Sequence, residues 1–549
     1  MPKTLIDIPV TMPDGCVLSA DIYLPNHKGS FPTILERTPY GNHQEKKVRL
    51  FQKFAKAGFA VCSVDVRGRH DSEGQWSPFF NERIDGIATQ KWLAEQEFCN
   101  GNIGLFGCSY EGYAQWVTAD TLHPAVKTMV PVVAVPDPVI NLPYQDGALL
   151  HQIITWALLV HGKTNQDVSY QDWKKIFRYR PLIKLDEYIG FKSSLWKEWI
   201  SHPNLDDYWQ RACYMDSVTK VDVPVLQISG WYDDDGISTF KNYPAIRNHC
   251  ENPDIRNQHK LVIGPWPHVP NTIPNVPGID YGPDAIIDYE GLVIRWFRRW
   301  LMDEDNGIDK EAPARVFIMG ENRWRYLDNW SADSTRKLNL FLSSNGSANS
   351  LNGNGRLNLD PPRKNEEPDR FIYDPNDPVP YIYDFGTTQV GGPHDQRAIE
   401  KRDDVLVYTT EIMEKPLTLC GRVKLNLFAS TSGKDTDFTA KLCHVLRDGA
   451  ARQLCDGIKR VSKRLGLDKT NYVEPGDIFE LEIDLWATGV LINHGEALRL
   501  EISSSAAPKF APHFNTTENQ GEAVEALTVK QEVFHTHNYL SRLEIEVLV

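Results

Sequence analysis

From its first residues to about residue 310, the chain alternates short apolar runs with stretches of helical period. Ile34 and Leu35 lie in a run that stops at Pro39-Tyr40-Gly41; Phe51, Phe54 and Ala55 then share one face of a helix that ends at Gly58. Phe59-Ala-Val-Cys-Ser-Val-Asp65 is apolar nearly throughout, the pattern of a strand covered on both faces of a parallel sheet. A helix around 83–95 leads into Ile103-Gly-Leu-Phe-Gly107, another apolar run covers 129–135, and Pro224-Val-Leu-Gln-Ile-Ser229 and Lys260-Leu-Val-Ile263 repeat the pattern. Strands alternating with helices predict a doubly wound α/β sheet.

Two stretches depart from that rhythm. Residues 141–222 have helical rather than strand period and are crowded with aromatic residues: Trp156, Tyr170, Trp173, Tyr179, Trp196, Trp199, Tyr208 and Trp209. A helical insertion between two sheet strands predicts a cap over the sheet's C-terminal edge, and its aromatics also suffice for a small core of the cap's own. Beyond the amphipathic segment Tyr289–Met302 the period becomes two, in 338–342, 423–428, 479–485, 498–502 and 543–547. Such alternation predicts antiparallel strands with one solvated face, hence a β-sandwich or jelly roll. The Ser/Asn/Gly tract from Ser343 to Gly355 reads as a surface loop. The expected organisation is an α/β core in two parts, 1–140 and 223–335, split by a helical cap at 141–222 and followed by a C-terminal jelly-roll β-sandwich at 336–549.

Composition narrows the function classes. With 59 Lys+Arg against 73 Asp+Glu, the net charge of −14 has the wrong sign for a nucleic-acid partner, which calls for a basic stripe. The longest apolar stretch, Met129 to Ile140, is cut by prolines and too short to span a bilayer, so no membrane association is expected. No basic segment followed by an apolar one opens the chain, so a cytoplasmic location is expected. The nine cysteines include no CxxC pair, which favours free thiols in a reducing compartment over zinc or redox chemistry.

The strongest chemical signal is Gly107-Cys108-Ser109-Tyr110-Glu111-Gly112, between an apolar run and a helical pattern. A serine on a tight strand-to-helix turn stands above the sheet, its hydroxyl exposed where a helix N-terminus favours negative charge. The usual elbow is Gly-x-Ser-x-Gly, and here the second glycine comes one place later. Serine needs a base to take its proton and a carboxylate to orient that base; in α/β-hydrolases these follow in the order Ser, acid, His at strand ends. The run at 224–229 ends in Gly230-Trp231-Tyr232-Asp233-Asp234-Asp235, and the run at 260–263 ends in Gly264-Pro265-Trp266-Pro267-His268. Spacing leaves open which aspartate faces His268. Three consecutive carboxylates point in divergent directions, so no metal site is expected from them.

Ser109 in Gly-x-Ser-Tyr-x-Gly, Gly230-Trp-Tyr-Asp233, Gly264-Pro-Trp-x-His268 and Arg37-x-Pro-Tyr40 together resemble the cocaine esterase-like group of the X-prolyl dipeptidyl-peptidase and α-amino acid ester hydrolase family, α/β-hydrolases with a helical cap and a terminal jelly roll. Asp65-Val-Arg-Gly-Arg69 with Ser72-Glu-Gly74, Phe317-x-Met-Gly-x-Asn-x-Trp324 and Asp435-Thr-Asp-Phe438 are similar as well, so the resemblance runs nearly end to end. It implies Ser109 as nucleophile, His268 as base, Asp233 as its orienter, and an oxyanion hole made of the Tyr110 backbone N–H and the Tyr40 phenol. It also implies Trp156 as an acyl-pocket residue; Trp231 and Trp266, beside the acid and the base, are expected to touch substrate too. Arg67 and Arg69 are expected as structural hydrogen-bonders, His535 and His537 as residues of an ordinary strand, and Cys108 as packing inside the elbow.

The function expected is therefore serine hydrolysis of a carboxylic ester through an acyl-enzyme, on a small molecule with an apolar or aromatic acyl group, with no cofactor. The alternative is an X-Pro dipeptidyl-peptidase or an α-amino acid ester hydrolase. Either must hold a free ammonium with buried carboxylates, for which the cap offers Asp146, Asp167 and Asp172. A non-catalytic carbohydrate- or partner-binding protein is a third reading, opposed by the complete set of Ser, Asp, His and Tyr. A homodimer is left open.

Overall fold

The apolar runs become neighbouring strands of a single twisted sheet in the computed structural model, which describes residues 3–271, 275–276, 278–330, 335–362, 366–382 and 392–549. An antiparallel pair, β1 (Lys3–Thr11) and β2 (Val17–Leu24), forms one edge. The chain then winds through β3 (Phe31–Thr38), α1 (Glu45–Lys56), β4 (Ala60–Asp65), α2 (Glu82–Ala94), β5 (Cys99–Cys108), α3 (Tyr110–Trp116) and β6 (Val126–Val132). Short helices follow over the sheet, including α4 (Ile153–Leu159) and α5 (Ser194–Ser201). The sheet resumes with β7 (Leu226–Tyr232), α6 (Ile237–His249), β8 (Lys260–Pro267), α7 (Tyr289–Met302), β9 (Ala314–Ile318) and β10 (Arg323–Leu327).

The strand order is β1-β2-β4-β3-β5-β6-β7-β8-β9-β10, parallel from β4 through β9. All eight residues of β3 and all six of β4 are buried, as strands sandwiched between helices must be. On one face α1 buries Phe51, Phe54 and Ala55, and α7 buries Val293, Trp296, Phe297 and Leu301. The other face carries α2, α3 and the cap, whose fully buried Trp196, Trp199 and Trp209 join one apolar cluster with that sheet face instead of forming a core of the cap's own.

From Thr335 onward the chain is β-rich. The strand Leu417–Thr431 pairs antiparallel with Phe479–Ile492, Val529–Phe534 and Arg542–Leu548. The one-solvated-face expectation fails at Ala497–Ser503, which is buried along its whole length. Its polar residues face charged partners instead of water: Arg499 pairs with Glu400 at 2.7 Å and Glu501 with Lys441 at 3.4 Å. The β-rich part joins the hydrolase sheet at the end of β9, where the Met319 N–H donates to the Gly489 carbonyl and the Leu491 N–H to that of Met319. It also meets the cap, where the Ala511 N–H donates to the Leu149 carbonyl and the His151 N–H to that of Lys509. Among the described residues no helix is long and apolar enough to cross a membrane.

Candidate active site

Ser109 sits between β5 and α3 with φ 59° and ψ −121°, outside the regions that L-residues ordinarily occupy. Holding such a backbone costs on the order of 1–3 kcal/mol and requires neighbours that over-determine it. They are present: the Ser109 N–H donates to the Val132 carbonyl on β6, while its carbonyl accepts from the N–H groups of Gly112 and Tyr113. The displaced glycine has a packing cause. A Cβ at Gly112 would lie 2.7 Å from the Ala134 Cβ, so α3 can approach the sheet only with glycine there. Position 111, where the usual elbow has its glycine, is free to carry a side chain, and Glu111 fills it.

The Ser109 hydroxyl lies 2.9 Å from His268 Nε2, and His268 Nδ1 lies 2.8 Å from Asp233 Oδ1. Of the triplet, Asp233 thus hydrogen-bonds the imidazole. Asp233 is itself held by the Ser229 hydroxyl at 2.6 Å and the Asp235 N–H at 3.0 Å. Asp235 is the second carboxylate at the imidazole, 3.6 Å from Nδ1, and accepts from the Asn141 amide at 2.7 Å. Burial works against an imidazolium at His268, but the Asp233 hydrogen bond and the charges of Asp235, Asp233 and Asp234 outweigh it and raise its pKa to about 9. Burial, helped by Asp233 and opposed by His268, pushes the Asp235 carboxyl up to about 7.

Tyr40 lies in the loop between β3 and α1. Its phenol oxygen accepts from the Trp156 indole N–H at 3.0 Å and faces Ser109, which leaves the phenolic proton available to donate. Burial raises this phenol to about 12, so it keeps its proton through the neutral range. Two amides hold the loop by the Tyr40 carbonyl, Asn165 at 2.8 Å and Gln44. Tyr110 is the first residue of α3, where a backbone N–H has no carbonyl one turn back to bond. Its own phenol points away, donating to Glu82 at 2.8 Å.

A pocket opens from Ser109, walled by Tyr40, Phe79, Val135, Leu142, Leu150, Ile153 and Trp156, with Asn141, Gln152, Asp234, Asp235 and Lys509 as its polar members. Trp156, on α4, stacks on Trp199 at 5.8 Å. The other two tryptophans do not reach the pocket, which corrects the expectation for them. β7 and β8 extend past the ends read from their apolar runs, so Trp231 and Trp266 are still strand residues whose side chains enter core layers. Trp231 donates to the Phe317 carbonyl at 2.6 Å and packs on Phe240 and Trp330. Trp266 donates to the Ala285 carbonyl at 2.8 Å and packs on Trp324.

The three cap carboxylates also lie outside the pocket wall. Asp146 pairs with Lys459 at 2.9 Å, Asp167 turns back to Ser169, and Asp172 caps a helical turn through the Lys175 N–H. Arg67 forks onto Asp85 and Asp14, and the buried Arg69 donates to the carbonyls of Pro39 and Val160. His535 sits buried between Asp369 and Glu366, both 2.9 Å away, carboxylates distant in sequence that no local spacing announces. Lys509 was equally invisible. It comes from the β-rich part, pairs with Asp456 at 2.7 Å and lies 5.0 Å from the Tyr381 ring centroid.

A serine on a strained turn above a doubly wound parallel sheet, bonded to a histidine that is bonded in turn to an aspartate, both from later strand ends, defines an α/β-hydrolase. Residues 14–270 match the X-Pro dipeptidyl-peptidase (S15 family), and 306–544 match the X-Pro dipeptidyl-peptidase C-terminal non-catalytic domain. The chain is 31% identical over 543 residues to the cocaine esterase of Rhodococcus sp. (strain MB1 Bresler), covering 93% of this chain and 92% of that protein. In fold it matches an aminopeptidase from a marine sediment Thaumarchaeota archaeon, with TM-score 0.88, 23% identity, and 100% and 96% of the two chains covered. It also matches an α-amino acid ester hydrolase, with TM-score 0.87, 22% identity and the same coverage. The chain belongs to the X-Pro dipeptidyl-peptidase (S15) family and is a serine hydrolase.

Proposed function

We propose that the protein hydrolyses carboxylic esters with an apolar or aromatic acyl group, through an acyl-enzyme formed on Ser109 with Asp233 and His268 completing a catalytic triad. The observation that carries this is the hydrogen-bonded line Ser109–His268–Asp233 opening onto a pocket walled mainly by Phe79, Val135, Leu142, Leu150, Ile153 and Trp156. Ser109 Oγ attacks the ester carbonyl as its proton passes to His268 Nε2, and Asp233 keeps the ring oriented and supports the imidazolium. The Tyr40 phenol and the Tyr110 N–H hold the oxyanion. His268 then returns the proton to the departing alcohol, and water repeats the sequence on the acyl-enzyme. The nine cysteines, all free thiols in the structure, support a reducing, cytoplasmic setting.

The family relation to the cocaine esterase supports the ester reading. A second reading, release of X-Pro dipeptides or hydrolysis of α-amino acid esters, is favoured by Asp234 and Asp235 on the pocket wall, where a carboxylate can hold an ammonium group. An aryl ester assayed against Gly-Pro-p-nitroanilide separates the two, with Ser109→Ala as blank and a fluorophosphonate probe to show the adduct on Ser109. The ester is expected to turn over far faster. Comparable efficiency on the anilide overturns the preference, and no adduct on folded protein overturns the enzyme mechanism. Replacing the phenolic donor, Tyr40→Phe, is expected to lower kcat roughly 10²–10³-fold with the fold intact. A loss below about threefold removes Tyr40 from the oxyanion hole.

A further inference from the structure

Beneath the nucleophile turn lies a polar cluster that the reaction steps above leave unused. Glu111 follows Ser109 by two residues, at the position where the usual elbow has glycine. It is buried, and its Oε2 accepts from the backbone N–H of Cys108, the residue before the nucleophile, at 3.1 Å. Its Oε1 accepts from the Thr38 hydroxyl at 2.7 Å and from the ammonium of Lys47. Thr38 is the last residue of β3. Its hydroxyl also accepts from the Tyr40 backbone N–H at 3.1 Å and from Lys47 Nζ at 2.9 Å. A hydroxyl has one proton and two lone pairs, so these three bonds use Thr38 completely and fix its direction.

The cluster therefore ties together the two segments that carry the oxyanion donors. One end grips the elbow through Cys108 and Glu111; the other grips the Tyr40 backbone through Thr38. Lys47, on α1, joins both and also lies 3.2 Å from Glu36, which the Ser63 hydroxyl holds at 2.7 Å. Burial and the charge of Glu111 push the Glu36 carboxyl up to about 7. Such a network is expensive to desolvate and is rigid once every member is bonded. Oxyanion donors act only when held at the right separation before the reaction begins.

We propose that Lys47, Thr38 and Glu111 form a positioning network that sets the distance between the Tyr40 phenol and the Tyr110 amide, so that they act on the rate of the ester reaction through the oxyanion hole. This rests on the reading of Tyr40 as an oxyanion donor, and the experiment keeps the two apart. Lys47→Met and Thr38→Val are each made alone and combined with Tyr40→Phe, and kcat and KM are measured on an aryl ester, with thermal melts confirming folded protein. Each single variant is expected to lower kcat roughly 10–100-fold with KM within about threefold. In the Tyr40→Phe background the same changes are expected to cost less than about threefold, because the donor they position is already gone. An arylboronic acid, which mimics the tetrahedral intermediate, is expected to lose affinity in parallel with kcat.

Losses that multiply in full with Tyr40→Phe, or that fall on KM, overturn the proposal. A Tyr40→Phe variant of normal activity overturns the oxyanion reading instead. Lys47→Met leaves two buried carboxylates facing each other, so Glu36→Gln/Lys47→Met relieves that repulsion if the single variant does not fold. Thr38→Val, which keeps shape and charge, tests the same claim independently.

Discussion

Asp235 lies close enough to His268 to share in its titration, and this decides how the enzyme answers to pH. A general base works in its neutral form, so with His268 in that proposed role kcat/KM is expected to rise with pH as the ring loses its proton. Because Asp233, Asp235 and Asp234 together raise His268 to about 9, the acid limb of the profile is expected on the alkaline side of an unperturbed histidine. Asp235→Asn removes one negative charge facing the ring while keeping a group of the same shape for the Asn141 contact. Losing that charge destabilises the imidazolium, so the limb is expected to move to lower pH. A kcat/KM profile from pH 5 to 10 reads the shift, and a limb that stays in place or moves upward contradicts the role given to Asp235. The meeting of Ser109 and His268 was legible because motif and strand end coincided there. The approach of Asp235 was not legible, because alternation of side chains along one loop says nothing about which carboxylate turns toward a ring.

At the scale of elements, period was a good guide wherever one solvent decided burial. The segment Tyr289–Met302 was read as amphipathic and is helical over those same residues, because its apolar stripe has one sheet face to cover. Strand ends were read short. β7 and β8 run on through Gly230 and Gly264, whose absent side chains admit close neighbours: a Cβ at Gly230 would lie 2.0 Å from the Trp266 carbonyl oxygen. A glycine that signals a turn in isolation here makes room for Trp266, whose backbone approaches Gly230 and whose ring lies against Gly264. Trp231 and Trp266, expected to touch substrate, accordingly stand in the core. At Ala497–Ser503 the polar alternates Arg499 and Glu501 implied water, and ion partners from distant strands took water's place.

The whole molecule shows why a hydrolase core of this kind carries a large β-rich partner. The β-rich part sends Lys509 into the pocket wall and takes Trp231 from the core into its own apolar cluster. One close approach is at Gly489: a Cβ there would lie 2.5 Å from the Trp231 ring, and the Gly489 carbonyl accepts the Met319 N–H at the end of β9. Its φ is not in the left-handed region, so Gly489→Ala tests packing across the junction free of backbone strain. The methyl has to displace a buried indole already bonded to the Phe317 carbonyl, an overpacking cost of about 1–3 kcal/mol. Trp231 is two residues from Asp233 yet does not line the pocket. A wedge at its far edge is therefore expected to lower the melting temperature while kcat/KM below the transition stays within about threefold of the parent. Scanning calorimetry beside an ester assay checks both halves. An unchanged melting temperature means that the junction yields freely. A collapse of kcat/KM in protein that is still folded means that the β-rich part positions Asp233 through Trp231, and does more than support the core from outside.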